Sequence, residues 1–147
     1  MNQEIQTKKT QIIFGQDSVI IQKWSGDIKG GRALDWSTVT EDVLYAGRII
    51  ITDGKGTYKP LAIESKAYKA IAEESGFSYA GVLYRSIAKG EGAAIMTAGQ
   101  VNKIAAKAAN GEADYPADFL AALPTIQLVT DEDANKFDES DATVDKD

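Results

Sequence analysis

The chain has 147 residues, 44% of them hydrophobic and 26% charged, a length and balance that fit a single globular core. It contains no cysteine and no histidine, which excludes a disulfide framework, thiolate metal sites and every nucleophile that relies on an imidazole partner. Net charge is −6, and residues 131–147 carry all of it, with eight acids and two lysines; the other 130 residues hold 14 acids and 14 bases, so there is no basic excess for nucleic acid.

In chain order, the first ten residues are polar and lack the apolar core of a secretory signal, and no later run approaches the ~20 apolar residues of a membrane span. QIIF (11–14) and SVIIQKW (18–24) are β-branched and aromatic, with GQD between them as a turn, and both read as strands. SGDIKGGR (25–32) is a glycine-rich loop, and 33–47 mixes apolar and polar residues into a loop with one short strand. RIIIT (48–52), DGKG (53–56) and TYKPLAI (57–63) form a hairpin, since Asp-Gly and Lys-Gly accept the positive φ that tight turns require. Pro60 assigns the returning strand to an edge or a bulge.

SKAYKAIAEESG (65–76) predicts a short helix with Ser65 as N-cap and Gly76 as its stop. FSYAGVLYRSI (77–87) and GAAIMT (92–97) predict strands. In AGQVNKIAAKAANG, Val101, Ile104, Ala105 and Ala108 fall at helical spacing, which predicts one apolar helix face closed by Asn110-Gly111. YPADFLAALP (115–124) predicts a turn of helix and TIQLV (125–129) a last strand. The fold class is therefore mainly β with short helices (α+β). It divides into an N-terminal arm (1–17), a β-rich domain (18–130) and a disordered acidic tail (131–147) whose apolar content is too low to fold.

Candidate chemistry is sparse. GEGAAIMTAGQ (90–100) has the strand–glycine–helix order of a phosphate site but neither nucleotide fingerprint, so the glycines are expected to serve packing. Ser86 and Lys89 match S-x-x-K, the nucleophile motif of penicillin-binding enzymes, without the SDN and KTG partners that chemistry needs. Residues 131–142 begin like a calcium loop but place Lys136 where glycine belongs and Ala142 where glutamate belongs. Trp24 and Trp36 flank the glycine loop, which leaves a small binding module for a peptide or carbohydrate as the alternative function. No catalytic set, cofactor or metal site is implied, and a non-enzymatic role is expected.

From residue 43 to 129 the order and spacing of elements resemble the decoration, head-fibre and auxiliary capsid proteins of tailed phages. The similarity rests on an Ala-Gly turn before a strand (Gly47), a Lys-Pro-Leu return (Pro60, Leu61) and a Gly-Val-Leu strand (Gly81, Val82, Leu83). It continues through a glycine link (Gly92), a helix with a Val-Asn pair (Val101, Asn102) and a Leu-Pro ending (Leu123, Pro124). The resemblance implies a small β-barrel-like domain with an extended N-terminal arm. Such a protein forms a homotrimer on the outer capsid surface, after synthesis in the bacterial cytoplasm. Its partners would be the major capsid protein and copies of itself, with no nucleic acid and no membrane. The docking arm would be Thr10, Gln11, Ile12, Ile13 and Phe14, ordering when it adds a strand to the capsid.

Overall fold

The computed structural model describes residues 17–130. One turn of helix, α1 (Asp17–Ile20), leads into strand β1 (Ile21–Asp27). After a long loop come β2 (Val43–Leu44), β3 (Ile49–Thr52), β4 (Tyr58–Pro60), β5 (Ile63–Glu64) and β6 (Ala67–Tyr68). A 3-10 turn at Glu73–Ser75 precedes β7 (Ser78–Leu83), β8 (Ile87–Ala88) and the long β9 (Ile95–Asn102). The helices α2 (Lys103–Ala109) and α3 (Ala117–Ala122) follow, and β10 (Ile126–Val129) closes the order.

The main sheet runs β1-β9-β7-β3-β4, and β10 adds to β9 in parallel; its other pairings are antiparallel. β9 is the shared strand. Met96 and Ile95 pair with β7, Gly99 to Asn102 pair with β10, and β1 spans 96–101 from the other side. Both faces of the sheet are covered, and alternation assigns the residues. Ile49, Ile51, Val82 and Met96 join one core with Ile20, Val101, Ala106 and Phe119. Ile50, Leu83 and Ile95 join a second core with Leu34, Val39, Leu44 and Ile87. Burial on both faces explains why three isoleucines follow one another in β3, where a half-exposed strand would alternate with polar residues.

The result is mainly β with short helices, as the sequence predicts. The edges β1 and β4 do not pair with each other, so among the described residues the sheet is open and no closed barrel is present. Three local predictions are corrected. The helix expected over 65–75 is instead the β5–β6 hairpin, whose turn residues Ser65 and Lys66 have φ of 53° and 64°, and only the 3-10 turn ending at Gly76 is helical. Residues 18–20 are helical, not extended. The helix expected from residue 98 starts at 103, because β9 continues through Gly99 to Asn102. Its buried residue is Ala106, and Ile104, assigned to the apolar face, is 48% exposed.

Candidate docking surface

The expected arm, Thr10 to Phe14, and the acidic tail 131–147 lie outside the described residues. The described chain begins at Asp17, and that junction is fixed. One Asp17 carboxylate oxygen accepts from Ser86 N at 2.9 Å and the other from Ser86 Oγ at 2.5 Å. Ser86 Oγ in turn accepts from Ala46 N at 2.9 Å. Ser86 is fully buried, and its proton is committed to Asp17. Lys89 Nζ meets Val39 O at 3.4 Å, so the S-x-x-K residues point to separate structural partners. No sequence pattern announces the Asp17–Ser86 contact, which joins residues 69 positions apart.

That contact is one brace on a single turn. Gly47 adopts φ 87°, and a Cβ there would meet Tyr115 Oη at 2.9 Å, Ala106 Cβ at 3.0 Å and Ile20 Cγ2 at 3.1 Å. Tyr115 Oη donates to Gly47 O at 2.6 Å, and Asn110 Nδ2 donates to Ala46 O at 3.0 Å. The buried Arg48 guanidinium donates through Nε and Nη2 to Leu61 O at 3.0 and 2.8 Å and through Nη1 to Glu41 at 2.6 Å. Burial works to raise the Glu41 carboxyl, but the hydrogen bond and charge of Arg48 outweigh it and hold the group below its usual value. Burial pushes the Tyr68 phenol up to about 12 and lifts Tyr115 well above its ordinary value.

The other residues carrying the phage-protein resemblance are mostly engaged in the fold. Gly81 lies against the Met96 carbonyl and Ile95, where a side chain has no room. Val82 and Leu83 point into the two cores, Val101 is buried in β9, and Leu61 is buried beyond β4. Asn102 caps α2 by accepting from Ile104 N and Ala105 N, each at 3.1 Å. The first N–H groups of that helix are thus served by its own cap, and the glycine-to-helix stretch is a packing device. Leu123 N closes α3 on Phe119 O at 3.0 Å, and Pro124 ends it. Gly92 sits exposed in the link before β9 with only ordinary contact to Arg32 O.

The two edges of the sheet differ. At β4, Pro60 has no N–H to offer, Tyr58 O already accepts from Asp35 N at 2.7 Å, and the Arg32 guanidinium lies 5.6 Å from the Tyr58 ring centroid. At β1, five of seven residues are exposed, and no described strand pairs with its outer side. Three register irregularities kink β1 against β9, and Gly99 lets the Lys23 carbonyl approach closer than any side chain would permit. Trp24 is 49% exposed on this strand. The other exposed large hydrophobics among the described residues are Val19 on α1 and Ile104 on α2, both 48% exposed. Helices α1 and α2 pack together, so all three lie on neighbouring elements at the entry of the N-terminal segment. A cleft of about 530 Å³ beside them is lined by Asp17, Ser18, Ile21, Tyr84 and Arg85.

Trp36 does not share this surface; it packs against the second core. Among the described residues, no group of three or more acidic side chains is placed to hold a metal ion, and no helix is long and apolar enough to cross a membrane. Among the described residues, the β1 corner combines a strand edge without a partner strand, exposed Trp24, and exposed Val19 and Ile104 on the adjoining helices. Comparison with family models, curated proteins and solved structures finds no match.

Proposed function

We propose that this chain is a structural protein of a tailed-phage virion that decorates the outer surface of the head. It binds between capsomers of the major capsid protein as a homotrimer. The observation that carries this reading is the asymmetry of the sheet: β4 is sealed, whereas among the described residues β1 has no strand on its outer side and carries exposed Trp24, with exposed Val19 and Ile104 on the adjoining helices. Thr10 to Phe14, β-forming by composition, precede β1 by seven to eleven residues in the chain. A capsid strand paired there gains main-chain hydrogen bonds, and the apolar side chains add a desolvated anchor.

Imaging of undecorated heads of the cognate capsid protein, incubated with the full chain, tests the proposal. The expected result is ordered occupancy of three-fold and quasi-three-fold positions, strongly reduced by deletion of residues 1–14. Heads left bare at saturating protein overturn decoration; equal occupancy by truncated and full-length chains overturns the arm while leaving the β1 corner as the docking site. The half-exposed Trp24 also favours a second reading, a small module that binds a peptide or carbohydrate. In that case a ligand screen gives binding that Trp24→Ala abolishes, with no occupancy of heads.

A further inference from the structure

Asn110 is the one asparagine in the sequence that is followed by glycine. An unhindered glycine N–H is the favoured nucleophile for intramolecular attack on an asparagine side chain. The fold works against that attack at three points. Asn110 is 4% exposed, and its Nδ2 donates to both Ala46 O and Ala106 O at 3.0 Å. Its ψ is 61°, which sets Gly111 N anti to Cβ across the Cα–C bond, the farthest arrangement from Cγ. Ring closure needs the two eclipsed, half a turn away. That rotation would also swing the end of α2, where Glu112 N donates to Lys107 O at 2.8 Å and Ala113 N to Asn110 O at 3.3 Å.

We infer that Asn110–Gly111 is a latent deamidation site, gated by local opening of the α2 end and the turn it braces. In the opened chain, Gly111 N gives its proton to solvent and bonds to Asn110 Cγ, while the Cγ–Nδ2 bond breaks and the carboxamide nitrogen takes a proton from solvent to leave as ammonia. Water then opens the succinimide to aspartate or isoaspartate. Either product places a carboxylate where a donor was required, and isoaspartate also lengthens the main chain. Refolding then sets carboxylate oxygens against the Ala46 and Ala106 carbonyls, so the reaction removes the brace that had prevented it. The inference stands on the geometry of α2 and is independent of the capsid proposal.

The test follows the peptide containing Asn110 by mass spectrometry during incubation of the full chain at mildly alkaline pH, with and without urea. The expected result is conversion at least about tenfold slower in the native chain than in urea, because opening precedes reaction. Tyr115→Phe, which loosens the same turn from its other side, is expected to narrow that gap by accelerating the native reaction. Equal rates in the native and urea-unfolded chains overturn the gating; absence of conversion in urea overturns the site. The wild-type comparison decides even if Tyr115→Phe fails to fold.

Discussion

The turn at Ala46–Arg48 and the strand β1 show opposite uses of a polar backbone. At the turn, Ala46 N, Ala46 O and Gly47 O each receive a partner from a side chain 40 or more positions away, and Gly47 N donates to Leu83 O. At β1, the ladder to β9 serves the inner side of the strand, and five of seven side chains face water. The first region resembles a joint held by clamps, the second a rim along which no described strand pairs.

The contrast is sharpest under substitution at Gly47. Gly47→Ala forces an L side chain into φ 87° and against Tyr115, Ala106 and Ile20. Urea denaturation is expected to show a loss of about 2–4 kcal/mol. A loss within experimental error would mean that the turn relaxes freely. Ser86→Ala removes the acceptor for Ala46 N and the hydroxyl donor to Asp17. Leaving these groups under-satisfied is expected to cost about 1–3 kcal/mol in the same measurement.

Alkaline titration probes the clamps without mutation. Tyr68 and Tyr115 have folded pKa values above the ordinary phenol value of 10.0, Tyr68 at about 12, because burial favours the neutral form. Above pH 10 the unfolded chain loses these protons first, so stability is intact below that point. It then falls by about 1.4 kcal/mol per pH unit for each phenol until the folded group ionises too. Melting temperatures measured from pH 9 to 12 are expected to drop across this window, and a flat profile would contradict buried phenols. The smallest effect belongs to the rim. Trp24→Ser is expected to change stability by less than about 0.5 kcal/mol, since the side chain is half exposed. A large loss in chemical denaturation would show that Trp24 belongs to the core.

Several of these elements were legible in the sequence because their signals are local. The β3–β4 turn follows from Asp53-Gly54, where the Asp53 carboxylate accepts from Lys55 N at 2.7 Å and Thr57 N at 3.0 Å. Pro60 correctly assigns β4 to an edge, and α3 and β10 lie within their predicted spans. The errors arise where distant contacts override local preference. Residues 65–75 have helical spacing and alanines, yet the Tyr68 ring stacks 6.1 Å from Tyr115 and its hydroxyl accepts from Ile49 N at 3.3 Å, which holds the segment as a hairpin. Gly99 reads as a helix start, but β1 and β10 pair with it from either side and keep it extended. The candidate docking surface is the least legible part. Whether Trp24 is exposed depends on which strand is left at the edge, and whether Val19 and Ile104 are depends on how their helices pack, both properties of topology.

β9 sets a condition on the kinetics of folding. It takes β1 on one side and both β7 and β10 on the other, and β1 and β10 come from opposite ends of the described residues. The β3–β4 hairpin can form early from neighbouring residues. The centre of the sheet must wait until β1 meets β9, from Ile21↔Val101 to Asp27↔Met96, and the parallel β9–β10 pairing also requires α2 and α3 to pack across the connection. On the ribosome, β1 and most of β9 must therefore persist without the neighbour that completes β9. Closure follows the synthesis of Val129, and until then that side of β9 is a strand edge open to pairing with the wrong chain.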